Sequence, residues 1–456
     1  MTMRLLPVSG LALAAALGVA TTGLAIAASE SDRKDCTASG GTPDLRIAVC
    51  TRVIDDSGES SANRAAAFNS RGNGYYARKE YDRAIADYSE AIKLNPKYAA
   101  AYYNRGLAHA AKRELDLAIA DYGETLKLDP KHARAYNSRG SAYVARKEPD
   151  LAIADYSEAI KLDPKLAAAF RNRGLALHGK KDYDGAIADY GQAIALDGKD
   201  AWAYGHRGQS WTDKGDFEAA IADLSEAVKL DPKYSWAWGQ RGLAHHRNRL
   251  IARKGSYDLA IADYSEAIKL DSKYIWAFSS RGVSYNNKAD YDHALPDCSE
   301  AIRLDPKYTG GYNCRGGAYK GKKDYTRAIA DYDESIKLDP NNNAAHWNRG
   351  NCYRDMGNLD RAIQDYDQAI KIHPKDFLSF NSRGTAYVAK RDYTRAITNF
   401  TEAIRFDAKY VEAYNNRGLA YKATGRKAEA IADFRKAQSL DPADKVSKEQ
   451  LRALGA

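Results

Sequence analysis

The sequence lacks the residue patterns that build most active sites and metal centres. Its 456 residues include 5 Cys and 9 His; no Cys-x-x-Cys occurs and the His are scattered, so zinc-ligand spacing is missing. A Gly-rich phosphate loop and a nucleophile elbow are missing as well. These absences predict a protein that is not an enzyme and that needs no metal or other cofactor.

The sequence also has little excess of charge of one sign. Its 69 Lys and Arg are nearly balanced by 60 Asp and Glu, which leaves a formal net charge of +9. Single basic residues follow prolines, as Lys131 does after Pro130 and Lys165 after Pro164. This distribution predicts a diluted basic surface and no nucleic-acid partner.

Charged residues are absent from Leu5 to Ala28, directly after Arg4. The stretch is rich in Ala, Leu and Gly and reaches a small-residue cleavage pattern at Ala25-Ile26-Ala27. It predicts a bacterial secretory signal peptide over residues 1–28, cleaved near Ala27, and a periplasmic or secreted protein. The alternative is an uncleaved membrane anchor, in which case the protein would contact the membrane.

What the sequence does contain is an Arg-Gly pair at a fixed spacing. Eleven such pairs run from Arg71-Gly72 to Arg417-Gly418; nine of the ten steps are 34 residues long and one is 40. A period of this length predicts a solenoid, in which each unit contacts only its neighbours and the core grows in one dimension. Such a stack offers a long surface instead of a catalytic pocket.

Each repeat has the pattern of two helices joined by a tight turn. In residues 411–444, numbered from 1 at Val411, small or apolar residues at positions 4, 8 and 11 and at 20, 24 and 27 follow helical spacing. Pro442, at position 32, ends the second helix. Gly at position 8 and Ala at position 20 occur in all eleven repeats, which predicts close approach of the paired helices.

This pattern resembles the tetratricopeptide repeat family over residues 65–444, as eleven consecutive units. The resemblance implies an all-α, right-handed superhelical solenoid of helix–turn–helix repeats. Residues 47–54 match residues 85–92 of repeat one, so residues 29–64 are predicted to form an N-terminal cap from a degenerate repeat. Residues 445–456 are predicted to form a C-terminal capping helix.

One position departs from the family pattern. Position 7 is Arg in every unit, where the family usually has Leu, and position 23 is Asp in ten units, with Asn399 as the exception. We interpret this matched occupancy as an Arg–Asp ladder that joins helices or repeats. The alternative is a row of cations for an acidic ligand.

The five cysteines divide into two groups. Cys36 and Cys50 in the cap are predicted to form a disulfide, as suits an exported protein. Cys298, Cys314 and Cys352 occupy repeat positions and are interpreted as small packed hydrophobes.

Two irregularities fall in adjacent repeats. Repeat six has six extra residues around 247–251, which predict that its first helix is longer by over a turn. Pro296, inside the second helix of repeat seven, predicts a kink.

The family's concave groove is lined by positions 2, 5, 9, 12 and 13 of the first helices. Position 2 of this chain is Trp in three consecutive repeats, at Trp202, Trp236 and Trp276, and Trp347 occupies position 5 of repeat nine. Such a row is typical of binding hot spots, although position 2 could instead pack against the preceding repeat. The other candidate groove residues mix both charges with amides: Asp213, His246, Arg247, Asn286, Lys320 and Arg354.

This mixture suits an extended peptide with apolar anchors and polar backbone contacts. The carboxylate clamp of chaperone-binding members is incomplete, because Asn69 and Ser138 stand where two of its basic residues belong. We therefore predict a scaffold that binds a protein or peptide segment in its groove. The alternatives are a passive spacer of the cell envelope and an accessory protein that handles polysaccharide.

Overall fold

The computed structural model describes residues 28–38, 40–248 and 256–456. Except for Ala28, the predicted signal peptide lies outside the described residues. Within them every regular element is an α-helix and there is no strand, so the predicted all-α class is confirmed. The chain divides into two compact units, Met1–Asp182 and Tyr183–Ala456, which are described separately below.

The described residues of the first unit form nine helices. In chain order they are α1 Glu30–Thr37, α2 Pro43–Asp55, α3 Ser61–Ala77, α4 Tyr81–Leu94, α5 Ala99–Ala111, α6 Leu115–Leu128, α7 Ala133–Ala145, α8 Pro149–Leu162 and α9 Ala167–Gly179.

The second unit contributes sixteen helices from its described residues. They are α10 Tyr183–Leu196, α11 Ala201–Lys214, α12 Phe217–Leu230, α13 Ser235–Arg247, α14 Ser256–Leu270, α15 Ile275–Asn287, α16 Tyr291–Leu304, α17 Thr309–Gly321, α18 Tyr325–Leu338, α19 Asn343–Asp355, α20 Leu359–Ile372, α21 Phe377–Ala389, α22 Tyr393–Phe406, α23 Val411–Ala423, α24 Lys427–Leu440 and α25 Lys445–Leu454.

Within each unit, helices that follow one another in sequence pack together, and the first helices of consecutive repeats also contact each other. In the first unit α3, α5, α7 and α9 form such a row, and in the second unit α11, α13, α15 and α17 begin one. This is the nearest-neighbour packing of a solenoid.

In the repeats that lie within one unit, the core forms where Gly at position 8 meets the residue at position 24. A Cβ atom added to Gly106 would lie 2.8 Å from Cε1 of Tyr122 and 3.3 Å from the carbonyl oxygen of Ala118. Tyr122 and Ala118 are both buried. The aromatic ring therefore occupies the space that the glycine leaves, and the small residue at position 20 lets the second helix approach.

The turn between the two helices of a repeat depends on position 15, which has a positive φ. In repeat two this residue is Arg113, with φ 64°. The N–H of Glu114 then donates to the carbonyl of His109 at 2.9 Å, which satisfies a carbonyl at the end of the first helix. The other residues with positive φ at position 15 are Lys79, Lys147, Lys181, Gly215, Ala289, Lys323, Gly357, Arg391 and Gly425.

The predicted Arg–Asp ladder is confirmed, and its geometry joins repeats as well as helices. Nε and Nη2 of Arg281 each donate to a carboxylate oxygen of Asp297 at 2.7 Å, while Nη1 donates to Oγ of Ser265 in the preceding repeat at 2.9 Å. Equivalent two-bond pairs are Arg71–Asp87, Arg105–Asp121, Arg139–Asp155, Arg207–Asp223, Arg241–Asp263, Arg315–Asp331, Arg349–Asp365 and Arg417–Asp433.

Repeat ten shows that a neutral partner is also accommodated. Nε of Arg383 donates to Oδ1 of Asn399 at 2.8 Å, and Nη1 of the same guanidinium contacts Asp367 of the preceding repeat. In these pairs the guanidinium group is bonded to a carboxylate or an amide of the protein itself. For the arginines with described partners, the alternative of a row of cations that binds an acidic ligand is therefore wrong.

The N-terminal segment extends the same bonding pattern by one step. Nη1 of Arg71 donates to Oγ1 of Thr51 in α2 at 3.1 Å, as Arg281 does to Ser265. Helix α2 thus takes the place of the second helix of a preceding repeat. A disulfide joins Cys36 of α1 to Cys50 of α2, and both residues are buried.

At the C-terminal end, α25 covers the last repeat. Leu451 is buried and packs with Ala430 and Phe434, while Leu454 lies against the same cluster. The apolar side of this helix therefore closes the core of the final repeat.

Cys298 and Cys314 are buried, as small packed hydrophobes would be, but the two also form a second disulfide, which the sequence interpretation did not include. Cys298 replaces the aromatic of position 24 in α16, and Cys314 occupies position 6 of α17. A Cβ atom added to Gly282 would lie within 2.7 Å of either sulfur atom, so the sulfur pair fills the space of the missing ring. Cys352 is a free, buried cysteine, and burial raises the pKa of its thiol to about 11.

The irregularity of repeat six also differs from expectation. Helix α13 ends at Arg247 and is as long as most other first helices, because the backbone leaves the helix at the buried Asn248. The prediction of a longer first helix is therefore wrong, and residues 249–255 lie outside the described part of the chain. Helix α16 is one helix that continues through Pro296.

Replacing Cys36 and Cys50 by Ser is expected to loosen the cap alone. The bond closes a short loop, since its cysteines are 14 positions apart. Its loss should lower the free energy needed to open α1 and α2 locally by about 2 kcal/mol. Hydrogen exchange measures this: amides of α1 and α2 should exchange faster, while those of α5 to α8 should keep their rates. Faster exchange of α5 to α8 by the same factor would contradict a nearest-neighbour core.

Candidate functional site

The candidate site is the surface formed by positions 2, 5, 9, 12 and 13 of the first helices in the unit Tyr183–Ala456, called the first-helix face below. Three tryptophans at position 2 lie on it, and each is the second residue of its helix: Trp202 in α11, Trp236 in α13 and Trp276 in α15. All three side chains are half-buried. They are therefore neither the fully exposed row nor the fully buried core that the sequence left open.

Trp202 and Trp236 lie on either side of one histidine. The centroid of the His206 ring is 3.9 Å from that of Trp202 and 4.5 Å from that of Trp236, and the second pair is stacked. Trp202 also contacts the edge of Tyr190 at 5.9 Å, and Trp236 stacks on Tyr234 at 5.5 Å. The result is a continuous aromatic stack across two repeats.

Glycine at position 5 lets two of the tryptophans, Trp236 and Trp276, lie against the preceding repeat. A Cβ atom on Gly205 would be 3.1 Å from Cζ3 of Trp236, and one on Gly239 would be 3.2 Å from Cζ3 of Trp276. Trp276 further contacts Tyr264 at 5.7 Å. The tryptophans thus pack between repeats while part of each residue remains accessible.

The polar residues at positions 12 and 13 bond to one another from repeat to repeat. Arg247 forms an ion pair with Asp213 at 3.5 Å. Nδ1 of His246 lies 2.9 Å from Oγ of Ser284, and Nε2 of His246 lies 3.3 Å from Nδ2 of Asn287. Because the amide nitrogen of Asn287 is a donor, Nε2 is the acceptor and the neutral tautomer carries its proton on Nδ1.

Burial lowers the pKa of His246, with the nearby Arg247 as a second cause. The ring is therefore neutral at neutral pH, as its hydrogen bonds require. Asn286, a second amide of this region, donates from Nδ2 to the carbonyl of Cys314 at 2.9 Å. These residues connect α13, α15 and α17.

A further group of candidate residues lies on α17 and α19. Nζ of Lys320 is 5.9 Å from the centre of the Trp347 ring, and Nε1 of Trp347 donates to Oγ of Ser382 at 2.9 Å. Burial lowers the pKa of Lys320. Arg354 donates to Oδ1 of Asp355 at 2.9 and 3.1 Å. This group holds a cation against an aromatic face, an arrangement that weakly stabilises both.

The structure therefore brings the predicted residues together in three groups. The first is Trp202 with Trp236, the second Asp213 with Arg247 beside His246, and the third Lys320 with Trp347. Trp276 lies with Tyr264 and Tyr274, and Asn286 is bonded to backbone.

Sequence reasoning missed His206 and the two glycines beneath the tryptophans. The signal was available: Gly occurs at position 5 only in repeats five and six, and the repeat that follows each has Trp at position 2. His206, at position 6, carried no such signal, since its contact with both tryptophans depends on the inter-repeat packing.

The described residues contain neither a metal-binding cluster nor a membrane-spanning helix. Nowhere in residues 28–38, 40–248 and 256–456 do three or more His, Cys, Asp or Glu side chains group as a metal would require. Over the same residues no helix has the length and apolar character needed to span a bilayer.

Models of one repeat family match most of the chain. Those described as TPR repeat or tetratricopeptide repeat match residues 72–113, 99–132, 140–181, 168–200, 208–248, 251–288, 316–377, 384–425 and 411–444. Together these matches cover more than half of the chain. Among curated protein sequences, none matches.

Solved structures of several repeat proteins are similar to this chain. Yeast Tom70 is 17% identical over 86% of this chain and 95% of its own, with a TM-score of 0.45. A tetratricopeptide repeat protein from Parabacteroides merdae is 21% identical over 56% of this chain and 99% of its own, with a TM-score of 0.45. YrrB, described as a TPR protein with an unusual peptide-binding site, is 22% identical over 42% and 97%, with a TM-score of 0.37.

Proposed function

Because the chain belongs to the tetratricopeptide repeat family, we propose that it is a non-enzymatic scaffold that binds an extended protein or peptide segment along the first-helix face. The observation that carries this proposal is the aromatic stack of Trp202, His206 and Trp236, with Trp276 at the same position of the next repeat. Half-buried aromatic rings at equivalent positions of adjacent repeats give apolar anchor sites at a regular spacing.

The polar residues beside the stack suit the backbone of such a ligand. The Asp213–Arg247 pair is largely exposed at its arginine end, and Asn287 is exposed next to His246. An extended peptide presents side chains to apolar pockets and N–H and C=O groups to polar side chains. A surface that alternates aromatic anchors with amides and paired charges recognises both parts.

We further propose that the scaffold acts in the periplasm or outside the cell. The small-residue pattern Ala25-Ile26-Ala27 supports export. The two disulfides, Cys36–Cys50 and Cys298–Cys314, suit an oxidising compartment.

Trp236→Ala is expected to weaken peptide binding by about 2 kcal/mol, the loss typical of a hot-spot tryptophan. The ligand for this measurement is a peptide selected from a random display library on the full chain, and calorimetry gives its Kd. Because the ring is half-buried, the free energy of unfolding should fall as well. The loss should be smaller than the roughly 3–5 kcal/mol that truncation of a fully buried aromatic costs. Binding is therefore measured at a temperature at which both proteins are folded.

Leu259→Ala is the matched control. Leu259 is an exposed apolar residue of α14, a second helix outside the first-helix face, so its removal should leave the Kd unchanged. If all selected peptides bind wild type and the Trp236→Ala variant equally well, the tryptophan stack is a packing feature and the proposed binding face is wrong.

A further inference from the structure

We propose that Ala28 is the first residue of the mature protein and that its α-ammonium group binds the buried carboxylate of Asp56. The proposal goes beyond ligand binding by the scaffold. It depends on the proposed cleavage, which the experiment below tests separately.

The position of Ala28 carries the inference. Its nitrogen donates to Oδ2 of Asp56 at 2.8 Å in a buried environment, and the N–H of Gly58 donates to Oδ1 of the same carboxylate at 2.9 Å. Ala28 is 5% exposed and Asp56 is 8% exposed. The methyl group of Ala28 packs into the cap core around Cys36 and Cys50. The chain therefore enters the cap at a defined site, with one nitrogen held by one carboxylate.

The chemistry of that site favours a charged donor. A buried carboxylate is costly unless it is paired, yet the hydrogen bonds to Asp56 come from neutral backbone N–H groups. Arg33 and Glu59 are the other charged groups near it, and these two pair with each other. Cleavage before Ala28 converts its amide nitrogen into an ammonium group at the same place. The contact then becomes a charge-assisted hydrogen bond, about twice as strong as a neutral one.

The start of α1 gives a second reason for a carboxylate here. Ser29 is the N-cap of this helix, so the nitrogen of Ala28 lies beside the positive end of the helix dipole. An ammonium group at that end is unfavourable unless an anion offsets it. The N–H groups of Gly58 and Ala28 hold the pKa of Asp56 below its ordinary value, so the carboxylate is ionised at neutral pH.

The predicted cleavage site and the contact with Asp56 fall at the same place. The pattern Ala25-Ile26-Ala27 predicts cleavage near Ala27, and Ala28, the residue that follows it, is the one whose nitrogen Asp56 binds. A start one residue later would remove the nitrogen that Asp56 binds, and an earlier start would leave that nitrogen neutral.

The test uses the full chain, produced in a bacterial host with residues 1–27 present. Mass spectrometry of the purified protein should give an N-terminal peptide that begins at Ala28. The α-amine is then labelled at neutral pH with an amine-reactive acyl reagent. Pairing raises an amine's pKa above its ordinary value of about 7.7–8.0, so native wild type should react about tenfold more slowly than the Asp56→Asn variant.

Asp35→Asn is the control, since it removes an exposed carboxylate of the same cap and should label at the wild-type rate. If Asp56→Asn fails to fold, the pH dependence of labelling in wild type replaces it, with an expected midpoint above about 8. Equal labelling rates of wild type and Asp56→Asn, or a pH midpoint of labelling at or below about 8, would show that the ammonium group does not bind Asp56. Neither result would contradict the proposed cleavage or the proposed scaffold function. An N-terminus at Met1, or at any residue other than Ala28, overturns the whole inference.

Discussion

Arg139→Ala should lower the free energy of unfolding of the first unit by about 3 kcal/mol or more, because it leaves the carboxylate of Asp155 buried without its partner. Both guanidinium–carboxylate bonds are 2.8 Å long, and Asp155 is 7% exposed. Chemical denaturation of the variant and wild type gives the difference directly.

Two further variants separate charge from geometry. Arg139→Lys retains the charge but cannot make two parallel bonds, so we expect an intermediate loss. Asp155→Asn recreates the Arg383–Asn399 pair that repeat ten already contains, and it should cost less than Arg139→Ala. If Arg139→Ala is as stable as wild type, the Arg–Asp ladder contributes nothing to the free energy of unfolding.

Two glycines of repeat two should respond to Ala in opposite directions. Gly106→Ala places a methyl group 2.8 Å from the Tyr122 ring and 3.3 Å from a backbone carbonyl, and such overpacking should cost about 2 kcal/mol. Gly123, inside α6, has no atom within 4 Å of an added Cβ. Gly123→Ala should therefore stabilise the protein by about 1 kcal/mol through helix propensity alone.

The gap between the two variants, about 3 kcal/mol, is the quantity to measure. Both changes add one methyl group to one repeat, so thermal or chemical unfolding of the pair needs no further control. Equal effects of the two substitutions would show that the glycine at position 8 is not required for the contact with position 24.

The period of 34 residues made the helical pairs predictable, because steric constraints recur at the same positions. Gly at position 8 and matched Arg and Asp at positions 7 and 23 indicated close packing and a ladder. The third bond of the guanidinium was not predicted. Its acceptor lies 16 residues before the arginine in both cases, but the residue type there differs: it is Ser265 before Arg281 and Asp367 before Arg383. That bond depends on the packing between repeats, which no single repeat encodes.

The same limit explains two other contacts that were not predicted. Cys298 and Cys314 meet across the junction of α16 and α17, a contact that appears only when positions of different repeats are compared. The half-buried state of Trp236 depends on Gly205 of the preceding repeat. Contacts within a repeat could thus be predicted from the sequence, whereas contacts between repeats could be found only in the structure.

A footprint of the bound peptide is the most direct test of whether a ligand binds along the first-helix face. Hydroxyl-radical labelling of the full chain, with and without the selected peptide, reports the accessibility of individual side chains. We expect protection of Trp202, Trp236 and Trp276 together, with no change at the exposed Leu259 of α14. Protection confined to α14 and other second helices, with the three tryptophans labelled as in the free protein, would contradict the account.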